Sequence, residues 1–205
     1  MKHLCMAFII AALITACDTT GKVAPLDPQT GRLSSSVLVG EAKVVVDKNI
    51  PLAAYKTFVV VLPDVYNQGL DESAQLRAIG YFNEVVGFGD LKKFVSDHNL
   101  QGKVGPFDTW NGLSSLYRAY KPFLVIRFDC VEKGNIYHRL IVTNPQTMEN
   151  VFVGQVKAWS EAGYNAAGLL TLGAGMYESN RCSGTDEKVR YPLFNALIKW
   201  IDQNR

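Results

Sequence analysis

Apolar residues along this chain change period several times, and each change marks an element. Val37–Val46 and Thr57–Leu62 are β-branched runs bounded by turn residues, the pattern of strands. From Asp71 onward, Leu76, Ile79, Phe82 or Asn83, and Val86 fall at helical spacing, with Asp71 or Ser73 as cap and Gly87-Phe88-Gly89 as breaker. Leu91, Phe94 and Val95 predict a short second helix over Leu91–Asn99, opened by Asp90 and followed by Gly102. A third runs from Asp108 to about Lys121, with Leu113, Leu116, Tyr117 and Tyr120 on one stripe, and stops before Pro122. The period then drops to two. Phe123–Val131, Ile136–Thr143 and Val151–Trp159 predict an antiparallel meander, turning at Glu132–Asn135 and Asn144–Asn150. In its first strand Leu124, Ile126, Phe128 and Cys130 share one face, and Arg127 and Asp129 the other. The chain closes on Pro192 at a helix N1 position, followed by the stripe Phe194, Leu197, Ile198 and Ile201. Helices among the early strands, a meander, and a closing helix predict an α/β two-layer sandwich: a mixed sheet with helices packed on one face.

The first residues have a different pattern. Lys2 precedes an apolar run, Leu4–Ile14, that is too short to span a bilayer. Ile14-Thr15-Ala16-Cys17 resembles the bacterial lipobox, in which small residues lead to an obligatory cysteine. The resemblance implies export, acylation of the Cys17 thiol with palmitate-type chains, and cleavage that makes Cys17 the mature N-terminus. Under the sorting rule of enteric bacteria, Asp18 in the next position implies the periplasmic side of the inner membrane, with the outer membrane as the alternative. Asp18–Ser36 has no aromatic residue, two prolines and many small polar residues, so it reads as a flexible tether of roughly 25 Å reach. The expected organisation is a signal peptide (1–16), a lipidated cysteine with its tether (17–36), and one globular periplasmic domain (37–205).

Composition narrows the partners. The full chain carries a net charge of +2, and removal of Lys2 with the signal leaves +1, with the signs interspersed. That excludes the electrostatic footprint of a nucleic-acid binder and a polybasic membrane patch, so lipid is the expected membrane anchor. Of the four cysteines, Cys5 leaves with the signal and Cys17 carries lipid. Cys130 and Cys182 remain as an even pair in an oxidising compartment. A disulfide between them would close a long loop and stabilise by roughly 4 kcal/mol on the chain-entropy model. It requires the polar run around Cys182 to fold over the end of the sheet, so the pair is either bridged or free.

Catalytic chemistry has little to build on. There is no G-x-S-x-G, phosphate-binding loop, H-E-x-x-H or paired C-x-x-C, and no cofactor or metal set is expected. His98 falls near a helix C-terminus and His138 beside Arg139, which suits capping or surface roles. A thiol enzyme would need Cys130 or Cys182 beside His138. Two segments are candidates for contact. Phe107, Trp110, Tyr117 and Tyr120 crowd one stretch, either docked on the sheet or presenting an aromatic surface to a partner or glycan. Ala162–Tyr177 carries no charge over sixteen residues and, read as a helix, aligns Gly163, Ala167, Thr171 and Gly175 in a column. Glycine costs a helix roughly 1 kcal/mol each, so close approach of another surface is the expected compensation, internal or intermolecular.

Three pieces together carry a family resemblance: Tyr55-Lys-Thr-Phe-Val-Val-Val-Leu62, the hairpin Arg139–Val151, and Tyr191–Ile201. They resemble the small periplasmic lipoprotein domains related to the TolB N-terminal domain, the curli secretion lipoprotein and penicillin-binding-protein activator lipoproteins. The resemblance covers about two thirds of the mature chain and implies an anticodon-binding-like α/β fold. The hairpin departs from the family's Thr-Gly turn, having Thr147-Met148. The function expected is a non-enzymatic, lipid-anchored adaptor in an envelope complex, working by protein contact or self-association. The competing expectation is a periplasmic receptor for a small ligand or glycan.

Overall fold

The computed structural model describes residues 23–34, 40–62, 71–132, 135–157 and 187–205. Six strands form one mixed sheet: β1 (Lys43–Asp47), β2 (Val59–Val61), β3 (Val85–Gly87), β4 (Leu124–Glu132), β5 (Ile136–Asn144) and β6 (Glu149–Lys157), in the order β1-β6-β5-β4-β2-β3. The meander β4-β5-β6 is antiparallel, as its period-two pattern predicts, and β1 extends it antiparallel to β6. β2 pairs in parallel with both β3 and β4. Among the described residues four α-helices accompany the sheet: α1 (Glu72–Ile79), α2 (Leu91–Asp97), α3 (Trp110–Ala119) and α4 (Tyr191–Gln203).

The α/β mixed-sheet class follows the sequence pattern, and alternation along the strands shows how the layers are filled. Val59, Val61, Leu124, Ile126, Leu140, Val142 and Phe152 enter one apolar cluster with Leu76 of α1 and Phe194, Leu197, Trp200 and Ile201 of α4. Val60, Val86 and Val125 point the other way, into a second cluster with Leu91, Phe94 and Val95 of α2 and Leu113 and Leu116 of α3. The main layer is therefore α1 and α4 on one face. To it the structure adds α2 and α3 on the opposite face, at the β4-β2-β3 end. A strand buried on both faces has no polar alternation, which is why Val59-Val60-Val61 reads as an unbroken β-branched run.

Two boundaries differ from the periodicity. α1 begins where expected, with the Asp71 carboxylate accepting from the Ala74 amide at 2.8 Å. It stops at Ile79, because Gly80 takes a left-handed conformation (φ 72°) and closes it. Val86, read as the end of that helical stripe, lies instead in β3, where β-branched Val85 and Val86 pair with Val59 and Val60. In the β5–β6 turn, Met148 adopts φ 59°, the left-handed position a glycine would take without strain.

The tether expectation does not hold for residues 23–34. Ala24 and Leu33 are buried and join the first cluster. Leu26 and Leu33 form an antiparallel bridge closed at Gly31 (φ 65°). In that turn the Asp27 carboxylate accepts from the Gln29 and Thr30 amides, both at 2.8 Å, and these bonds hold its pKa below the ordinary carboxylate value. The segment is fastened to α1 and α4. Buried Gln75 donates to Ala24 O and accepts from Ala24 N, and Asn195 does the same for Leu33 at 2.8 and 2.7 Å. Arg32 reaches Asn195 O and Asp202, both at 3.1 Å. Its small polar composition hid this docking, because the anchoring partners lie more than fifty residues away. Leu33→Ala is expected to lower stability by about 2–3 kcal/mol, the lower part of the range for large-to-small changes, since a peripheral site can partly collapse. Urea denaturation checks the loss, and a cost under about 0.5 kcal/mol would show that the docking contributes nothing.

Candidate functional site

The residues singled out on α3 sit where a backbone crossing fixes them. Thr109 caps the helix, its hydroxyl accepting from the Gly112 amide at 3.1 Å while donating to Pro106 O at 2.8 Å. The Gly105–Pro106 backbone lies directly on the first helical turn, where a Cβ on Gly112 would meet Pro106 O at 1.8 Å. This crossing places Phe107, Asp108 and Thr109 beside Trp110.

The aromatic cluster of this segment docks inward. Phe58 stacks on Phe94 at 4.6 Å between ring centroids and meets Phe123 at 5.0 Å, and Tyr120 stands edge-on to Phe94 at 5.2 Å. Trp110, Tyr117, Phe107 and Tyr120 are half-buried and pack against the second apolar cluster. Partial burial raises the Tyr117 phenol above its ordinary pKa, and neighbouring Tyr55 adds to the shift. Burial likewise raises Tyr81, against the opposing charge of Arg205.

The two histidines differ. His98 caps α2: its Nδ1 donates to Phe94 O at 2.9 Å, which leaves Nε2 facing the Tyr120 hydroxyl at 3.3 Å. Its ring also packs on Phe94 and Tyr120. His138, expected at the surface, is buried because it shares strand parity with core residues Leu140 and Val142. In register it stands directly opposite half-buried Cys130. That is the neighbour a thiol nucleophile needs, and Cys130 has a partner of its own. Among the described residues no cluster of His, Cys, Asp or Glu could hold a metal ion. Cys17, Cys182, Gly163, Ala167, Thr171 and Gly175 lie outside the described residues.

Two features were not singled out from the sequence. The first is a hollow of about 430 Å³ beside α3, walled by Leu62, Phe88, Phe107, Trp110 and Leu113. Among the described residues, Arg127 and Asp108 supply its charged groups. Arg127 lies on the sheet face opposite Ile126, next to Asp129, at 3.7 Å from its carboxylate. Asp129 is gripped more closely by Arg139, its cross-strand partner. The second is the outer edge of β1, where Val44 and Val45 are 38% and 53% exposed while most large apolar side chains are covered. The sequence signal for that edge was its unbroken valine run between Lys43 and Asp47.

No protein-family model matches the chain, and no curated protein matches it. A solved structure, the LpoB C-terminal domain from Escherichia coli, is similar at 14% identity over 52% of this chain and 85% of that chain, with a TM-score of 0.31. A likeness that distant carries no functional argument.

Proposed function

We propose that this chain is a lipid-anchored periplasmic adaptor that works by protein contact, with the outer edge of β1 as its contact strand. The observation that carries the reading is the exposure of Val44 and Val45 on a strand that pairs only with β6 among the described strands. A sheet edge with exposed apolar side chains is a template for an added strand, and extended segments of other proteins bind such edges by main-chain hydrogen bonds; in β1 a bulge lies between Val44 and Val46. The histidine roles support a non-enzymatic reading, since one caps a helix and the other faces the core.

Anchoring rests on the lipobox and on two or more acyl chains, which make attachment effectively permanent. Because residues 23–34 dock on α1 and α4, the chain between Cys17 and Val23 can extend by only roughly 20 Å. The domain would then work beside the membrane surface. Cys130 and Cys182 form the structural disulfide in this reading. The engaged state of Cys130 and the export signal both support it.

The test is site-specific photocrosslinking of the full chain in intact cells. A benzoylphenylalanine at Val45 is expected to capture a discrete envelope protein, and the same probe at exposed Lys92 on α2 is not. Val45→Lys should abolish the partner complex, as charge on an edge blocks strand addition. Cys17→Ser should remove palmitate labelling and the membrane fraction of the adduct. Identical adducts from both probe positions, or a partner complex indifferent to Val45→Lys, would sink the edge-strand reading. Palmitate retained by Cys17→Ser would sink the anchor.

A further inference from the structure

The hollow beside α3 lies where topology places ligand sites in parallel sheets. β3, β2 and β4 run parallel; Leu62 and Phe88 stand just beyond the carboxyl ends of β2 and β3, and Arg127, within β4, follows the residue that pairs with the end of β2. The chain leaving β2 continues to α1, which packs on the first sheet face, and the chain leaving β3 continues to α2 on the opposite face. Adjacent strands whose connections diverge to opposite faces leave a crevice between them, the position where open α/β sheets bind ligands. A volume of about 430 Å³ suits a small organic molecule.

From this geometry we propose that the hollow binds a carboxylate carried on a compact apolar body, as a free acid or as the C-terminus of a peptide. The loosely paired arginine selects the anion. Two guanidiniums, Arg127 and Arg139, face one carboxylate, Asp129, and Arg139 holds it closely while Arg127 stands back at 3.7 Å. Arg127 is therefore the more loosely held of the two guanidiniums, and it lines the hollow. A guanidinium fork takes a carboxylate in two parallel hydrogen bonds. α3 starts at the same rim and adds the positive end of its dipole. Asp108 is the carboxylate of the lining among the described residues, and it sits exposed at the rim. The walls select the rest of the ligand. Leu62, Phe88, Phe107, Trp110 and Leu113 would stay wet around inorganic phosphate, whereas a leucine-sized or aromatic group covers them.

This inference is independent of the adaptor reading. It is tested with the lipidated full chain in nanodiscs, using saturation-transfer NMR with N-acetylleucine, N-acetylleucinamide and the peptide Gly-Gly-Gly-Leu as probes. N-acetylleucine should bind saturably below about 1 mM, and its uncharged amide at least tenfold more weakly. Arg127→Gln should erase that difference, and Arg127→Lys should leave part of it, because the charge remains while the fork is lost. Trp110→Ala should weaken acid and amide alike. Tighter binding of the peptide than of N-acetylleucine would identify a chain terminus as the source, and equal binding a free acid. Circular dichroism confirms that each variant is folded, and Arg127→Lys serves if Arg127→Gln is not. The proposal is overturned by non-saturable binding, by equal affinity for acid and amide, or by discrimination that survives loss of Arg127.

Discussion

Gly112→Ala is expected to cost at least the upper end of the roughly 1–3 kcal/mol typical of overpacking, and to disorder the loop that walls the hollow. The new Cβ would stand 1.8 Å from Pro106 O and 2.5 Å from Pro106 C. Both are backbone atoms, so no rotamer change relieves the clash, and either α3 or the 105–109 crossing must move. Moving the crossing breaks the Thr109 cap, because its hydroxyl bridges Pro106 O and the Gly112 amide. It also displaces Phe107 and Asp108 from the hollow. Chemical denaturation gives the stability loss, and the line widths of the Phe107 and Trp110 resonances report the loop. Gly89→Ala is the control: a Cβ there meets nothing within 4 Å, and it should leave both readings unchanged. A Gly112→Ala protein as stable as the parent would show that the crossing yields freely, and would remove the argument that it holds the site in shape.

The same residue illustrates which parts of the fold were legible in the sequence. The α3 stripe could be read from Leu113, Leu116, Tyr117 and Tyr120, since a 3.6-residue period needs only local information. Gly112, in that helix, carried no local reason, because its cause is the Pro106 backbone six residues upstream folding back on it. The meander was legible for the reason α3 was: strands of nine residues alternate cleanly and are joined by short turns. β3 was not, because three residues of a strand buried on both faces continue the apolar spacing of the preceding helix, and only Gly80 separates the two readings.

The candidate site divides in the same way. His98 was read as a capping residue from its position, which local spacing determines. His138 was misread because Arg139, its neighbour in sequence, points to the opposite face of the strand. The hollow was invisible in one dimension: its walls come from two strand ends, the body of β4 and one helix start, spread from Leu62 to Arg127. Docking of residues 23–34 was equally hidden, since Gln75 and Asn195 are unremarkable until the fold brings them against Ala24 and Leu33.

Glu72→Gln is expected to cost about 3–5 kcal/mol, the range for removing one member of a buried ion pair. Arg190 is nearly fully buried, and its Nη1 donates to the Glu72 carboxylate, itself little exposed, at 3.0 Å. The guanidinium also lies over the Phe128 ring at 4.9 Å. Taking the charge from Glu72 removes an ionic partner from a desolvated cation, and that loss supplies most of the cost. The pair clasps the start of α1 to the residue just before α4, so the loss should appear in the whole first apolar layer. If desolvation is the cause, Arg190→Met added to Glu72→Gln should recover stability relative to Glu72→Gln alone, because methionine fills the space over Phe128 and leaves no buried charge. Equilibrium unfolding of the two single variants and the double closes the cycle and isolates the coupling between them. A Glu72→Gln cost under about 1 kcal/mol, or a double variant less stable than Glu72→Gln by the full cost of Arg190→Met, would mean that packing of the arginine stem, and not its paired charge, holds these two helices together.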